Sequence, residues 1–172
     1  MRIRYPLFLL FFLTLSSMFA RQTVDISFHH DSKFLFIGDE RGNDAGTLDF
    51  ILRADFRLKK FAKSYLTVGP SYEYADLVGG TFTRYSLGIG YVQEKVFLKN
   101  LSFGVYPNYG LISRQHVKTG SFGINIELFY KISKRFSLSY VHQTLERTDF
   151  IALYDSTTKF IGSGFIGVKF AL

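Results

Sequence analysis

From position 48 onward the chain alternates apolar and polar residues. Leu48, Phe50, Leu52, Ala54, Phe56 and Leu58 occupy the even positions, while Asp49, Arg53, Asp55 and Arg57 stand among the odd ones. Successive strand side chains point to opposite faces, so a period of two puts apolar groups on one side and charges on the other. The pattern recurs. From position 64, Leu66, Val68, Pro70, Tyr72 and Tyr74 oppose Tyr65, Thr67, Ser71 and Glu73. Over 81–95, Tyr85, Leu87, Ile89 and Tyr91 oppose Arg84, Ser86, Gly88 and Gly90. The stretches 101–113 and 121–132 alternate as cleanly, the second setting Glu127 and Lys131 against Ile126, Leu128 and Tyr130. A first strand over 24–37, a seventh over 136–145 and a last over 159–172, with Lys169 on its polar side, complete a set of about eight.

An even number of strands can close on itself. The links at 59–63 and 133–135 are short and polar, whereas 38–46, 114–120 and 146–158 are longer and richer in Gly, Asn, Asp or Thr. The pattern predicts an all-β fold: a closed, antiparallel, up-and-down transmembrane β-barrel with its apolar stripes outward and its longer loops on the outer face. The rival is a soluble sandwich or lipocalin-like barrel, which would turn the apolar stripes inward. Two features favour the membrane form. The apolar stripes end in Tyr and Phe, as an interfacial girdle would, and the opposite stripes mix glycine with charges of both signs, which suits a narrow polar lumen.

The first twenty residues stand apart. Arg2 and Arg4 precede the apolar run 7–15 and the small or polar residues Ser16 and Ser17, with Ala20 just before Arg21. This is the layout of a secretory signal peptide, and its apolar run is shorter than the roughly 20 residues that a membrane helix needs. Cleavage is expected after Ala20, with Ser17 as the alternative, leaving a barrel domain over 21–172.

Composition narrows the reading further. The chain holds 20 Phe and 11 Tyr, yet its mean hydropathy is only +0.10, so the apolar residues are dispersed rather than gathered into spans. There is no cysteine, which excludes disulfides, thiolate metal sites and the lipid-carrying cysteine of a lipoprotein. The formal charge of +7 suits an anionic membrane surface as well as it suits nucleic acid, and the export signal favours the membrane.

The lumen of an eight-stranded barrel is just wide enough for side chains to fill. Asp25, Asp49, Arg53, Asp55, Arg57, Glu73, Arg84, Glu127, Lys131 and Lys169 should point into it and pair as a polar plug, with a narrow ion pore as the alternative. His29 and His30 are adjacent and face opposite ways, so they cannot share a metal. No metal site, cofactor or nucleic-acid motif is legible. Arg147, with Arg114, His116 and Lys118 in the neighbouring outer loop, is placed to bind lipopolysaccharide phosphates.

The last strand, from Gly162 to Leu172, alternates up to Phe170, and through it the chain resembles the small outer-membrane β-barrel proteins of Gram-negative bacteria. That resemblance implies an integral protein of the bacterial outer membrane, monomeric, delivered by periplasmic chaperones and the barrel-assembly machinery, with outer-membrane lipids and lipopolysaccharide as its surroundings. Such proteins typically end in an aromatic residue; here the last residue is Leu172. The expected role is structural, adhesive or surface-binding, through the outer loops and without catalysis. One stretch offers a second reading. His142 and Thr144, two apart on the outer wall, resemble the lipid A deacylases, which use a His, a Ser and a Glu there. Thr144 would be the nucleophile, His142 the base and Glu146 or Asp155 the orienting carboxylate. The stretch lacks that family's His-x-Ser-Asn core.

Overall fold

The computed structural model describes residues 23–157 and 159–172; the leader expected over 1–20 lies outside the described residues. Eight strands run in order: β1 (Val24–Asp31), β2 (Asp49–Lys60), β3 (Ser64–Ala75), β4 (Phe82–Gln93), β5 (Leu101–Arg114), β6 (Val117–Lys131), β7 (Phe136–Glu146) and β8 (Phe160–Ala171). Each pairs antiparallel with the next, and β8 pairs back with β1 to close the barrel. Two short helices, α1 (Ser32–Phe36) and α2 (Thr148–Tyr154), sit in the long connections at one end.

The barrel is polar inside and apolar outside. Asp25, Arg53, Asp55, Arg84, Glu127 and Lys169 are each under 5 % exposed, whereas Tyr85, Leu87, Ile89, Tyr109 and Leu111 are each more than 60 % exposed on the wall. A lipocalin-like barrel requires the opposite polarity, so the soluble alternative is excluded by which face is buried.

Three local expectations are corrected. The first strand stops at Asp31 rather than running to 37, because the Asp31 carboxylate accepts hydrogen bonds from the Lys33 and Phe34 N–H groups, at 2.7 and 3.1 Å, and so caps α1. The expected outer loop over 114–120 is a tight hairpin: Arg114 pairs with Val117, leaving only Gln115 and His116 between the strands. The stretch expected as a loop over 146–158 contains α2.

Proline placement fits the ladder. The β3–β4 register runs unbroken through Pro70, while the β2–β3 register skips from Arg53↔Ser71 to Phe56↔Val68. Pro70, lacking an N–H, therefore faces the side where the ladder is already interrupted. Pro107 does the same in β5, paired with Ile124 of β6 in a gap of the β4–β5 register.

Candidate functional site

The lumen is filled in layers. At the end with the short turns, Arg57 makes a bidentate contact with Asp25, Nη2 lying 2.7 Å from Oδ1, and its guanidinium sits 4.5 Å from the centre of the Tyr65 ring. Lys131 is half-exposed at this rim and donates to Glu94 at 2.6 Å.

The middle layer carries the densest charge. Arg53 pairs with Asp55 at 2.8 Å and with Glu127, while Lys169 donates to Glu127 at 3.0 Å and to the Tyr106 hydroxyl at 3.1 Å. The Arg53 guanidinium stacks 3.9 Å from the Tyr106 ring centre. That ring fits because Gly104 has no side chain: a Cβ there would lie 2.6 Å from it. Glycine is thus needed beside the Tyr106 ring. His29 completes the layer, 2.5 Å from the Ser139 hydroxyl and 3.7 Å from Glu127.

Above this, Arg84 donates to Asn108 at 2.7 Å, and Gln143 donates to Glu73 at 3.1 Å. Asp49 is buried beside a cavity of about 30 Å³ that Glu73, Gln143 and Arg147 also line. Every lumen residue read from the alternation therefore lies inside the barrel or, for Lys131, at its rim. Asn108, Gln143 and His29 share that side, and strand parity alone would have placed them.

The end with the longer connections is covered by α2 and its flanks. Asp149 is fully buried and receives a bidentate contact from Arg147, at 2.8 and 2.7 Å, with the Arg114 Nη1 3.6 Å away. The guanidinium carbons of Arg147, Arg41 and Arg114 lie 3.9, 4.9 and 5.1 Å from the centre of the Phe150 ring. Three cations thus gather around one aromatic ring beside a single buried carboxylate. They line an open cavity of about 410 Å³, together with Asn43, Gly79 and Tyr154. Arg114 donates to the Gly79 carbonyl at 3.0 Å through Nη2, but its buried Nε and Nη1 have no hydrogen-bond acceptor among the described residues.

On the rim of the same cavity, Asp39 accepts from the Arg41 and Asn43 backbone N–H groups at 2.9 and 3.1 Å, and from the Asn43 side chain at 2.8 Å. Partial burial pushes the Asp39 carboxyl up, but these hydrogen bonds prevail and hold it below its ordinary value. It stays an anion, occupied by its own loop.

Of the residues expected at a phosphate contact, Arg114 and Arg147 meet here. Lys118 is exposed on β6 outside this cavity, and His116 is exposed in the hairpin. Arg41, Asp149 and Phe150 complete the arrangement, and the alternation carries no sign of them because they lie in connections rather than strands, Arg41 far in sequence from the other two.

The outer-wall residues do not form a joined set. His142 is exposed, opposite Ile126 and Gly164, and no hydrogen bond or ion pair connects it to Thr144 or Glu146. Glu146 instead accepts from the Phe122 N–H at 3.2 Å and pairs with Lys159 at 3.3 Å. Asp155 caps the end of α2. Among the described residues no cluster of three or more potential metal ligands occurs.

Closed, eight-stranded, inside-out in polarity and plugged by its own charges, the chain has the fold of the small outer-membrane β-barrels. It is similar to the outer membrane protein Ail of Yersinia pestis in a phospholipid bilayer nanodisc, with a TM-score of 0.56 at 14% identity, over 88% of this chain and 100% of that one. Neisserial surface protein A gives a TM-score of 0.49 at 12% identity over 88% and 96% of the two chains, and the outer membrane enzyme PagL gives 0.45 at 11% over 86% and 97%. No protein-family model matches the chain, and no curated protein matches it in sequence.

Proposed function

We propose that the chain is exported, spans a bacterial outer membrane with its short turns in the periplasm, and acts as a non-enzymatic surface-binding protein through its outer mouth. The likeness of fold and the apolar outer wall support the location. The observation that carries the function is the Arg41, Arg114 and Arg147 cluster around Phe150. Asp149 is held by Arg147 and lies 3.6 Å from the Arg114 Nη1, while Arg114, whose buried Nε and Nη1 have no hydrogen-bond acceptor among the described residues, lines an open cavity. Buried donors without acceptors are costly, and an incoming anion with several oxygens would satisfy them. The matching chemistry is a phosphate monoester on a sugar, as lipopolysaccharide carries. A cavity of about 410 Å³ takes one sugar-sized group rather than a chain.

The test uses the mature barrel in detergent micelles, titrated with glucose 1-phosphate and with glucose, while the arginine Nε–H resonances are followed. Saturable shifts at Arg114 and Arg41 with the phosphate alone are expected, and Arg114→Ala should weaken binding by about tenfold or more, the loss of one or two charge-assisted hydrogen bonds. Identical responses to both sugars would refute the reading.

A further inference from the structure

We propose that the short-turn end of the barrel is a binding surface for anionic phospholipid headgroups of the adjacent leaflet. This rests on the transmembrane reading above. The charge at this end is one-sided. The end of β2 and the turn after it carry Lys59, Lys60 and Lys63, the β4–β5 turn carries Lys95 and Lys99, and the β6–β7 turn carries Lys134 and Arg135, all exposed. Among the described residues of these three turns the sole carboxylate is Glu94, and Lys131 already holds it at 2.6 Å. The opposite end is mixed: its connections carry Asp39, Glu40, Asp44, Asp76, Asp149 and Asp155 alongside Lys33, Arg41, Arg147 and Lys159. The chain's basic excess is therefore concentrated where the strands turn back at the short-turn rim.

The second observation is apolar. Each of the three turns pairs its cations with an exposed hydrophobic residue: Phe61 at 43 %, Phe97 at 96 % and Ile132 at 56 % exposure. Phe97 is held at φ 59 and Lys95 at φ 58, left-handed conformations that cost a non-glycine residue energy, yet glycine is not used there. The turn keeps both side chains despite the strain. An exposed apolar side chain, flanked by cations and continuous with an apolar wall, matches the boundary between acyl chains and headgroups. Seven cations around a rim a few nanometres across would draw acidic headgroups, an attraction that adds with each cation and falls away within a Debye length.

The experiment reconstitutes the full mature barrel in vesicles of phosphatidylcholine with spin-labelled phosphatidylglycerol or spin-labelled phosphatidylcholine as reporter, and measures the lipid fraction immobilised at the protein. The expected result is a preference for the anionic lipid of about fivefold at low salt, falling toward unity at high ionic strength. A variant with all seven cations changed to Gln should lose that preference while keeping heat-modifiable gel migration, which shows that the barrel is folded. A second variant, Phe97→Ser, should retain the preference but release the rim from the interface, read as loss of quenching at a label beside position 97 by lipid-borne quenchers. Equal partition of the two lipids around the wild type, or an undiminished preference in the seven-Gln variant, would overturn the proposal. If the rim instead co-sediments with purified cell-wall sacculi and shows no lipid preference, its partner is the wall polymer and the proposal fails. A folded wild type that enters neither kind of vesicle would overturn the transmembrane reading itself, a failure separable from absent selectivity in an inserted barrel.

Discussion

Glu127 is the residue on which the charge balance of the lumen turns. Fully buried, it answers both Arg53 and Lys169 and lies beside His29. Glu127→Ala would leave two buried cations with Asp55 as their nearest carboxylate, and removing one partner of a buried pair typically costs about 3–5 kcal/mol. Glu127→Gln keeps the shape and loses the charge, so its cost should be smaller. Urea unfolding in lipid vesicles, read by gel mobility, should rank wild type above Gln and Gln above Ala; equal midpoints would show that the middle layer is not the stabilising one. A different carboxylate answers to pH. Burial pushes Glu94 up, but the hydrogen bond and charge of Lys131 prevail and hold it below its ordinary value of 4.5. A lowered folded-state pKa means the contribution is complete above the unfolded value and disappears as pH falls through the lowered one. The Glu94–Lys131 contact should thus persist at pH 6 and be lost only as pH falls through a value below 4.5. The protection of the Lys131 amide, which donates to the Asn100 carbonyl, relative to its intrinsic exchange rate at each pH is the readout, and Glu94→Gln should abolish the pH dependence of that protection.

At the scale of elements, strands were legible wherever one face was wholly apolar and the other polar, because side-chain period alone decides the face. That held for Phe50 against Arg53 and for Leu128 against Glu127. It failed at the edges, where local hydrogen bonds decide. Phe34 and Phe36 sit two apart and continue the spacing of Phe28, yet the Asp31 cap turns that segment into α1. The β5–β6 hairpin was hidden because Gln115 holds a left-handed φ of 51 where a glycine would have announced the turn. The outer mouth is half legible: Arg114 and Arg147 read as cations of one surface and Arg147 and Asp149 as local partners two residues apart, but Arg41 reaches them only through loop packing. A strained cap at that mouth supports a prediction. Asp155 ends α2 at φ 48, a position that glycine occupies without a steric penalty. Asp155→Gly should stabilise α2 by about 0.5–1 kcal/mol, seen as slower exchange of its own amide, which donates to the Phe150 carbonyl. Faster exchange would mean that the aspartate side chain, rather than the backbone, maintains the cap.

For the whole molecule, the arrangement of the layers decides whether the barrel conducts. An ion entering from the outer mouth meets Arg147, Asp149 and Phe150, then the Arg84–Asn108 and Glu73–Gln143 pairs, then the Arg53–Glu127–Lys169 group packed on Tyr106. Each layer spans the lumen by contacts between different strands, so opening one leaves the next in place. Barrels with aqueous channels generally have about sixteen strands, and here the Arg53–Glu127–Lys169 layer separates a cavity of about 390 Å³ at the short-turn end from one of about 30 Å³ below the mouth. Planar-bilayer recordings of the wild type should show no steps above background. The stronger form of this prediction concerns a barrel whose outer cover has been removed. Replacing 148–154 by a Gly-Ser segment of equal length would expose Arg114 and take away Asp149, yet the middle layer draws none of its contacts from α2. The replaced protein should remain as silent as the wild type while losing the sugar-phosphate response of the mouth. Conductance appearing with that replacement would show that α2 is a gate and that the lumen beneath it is open in the membrane.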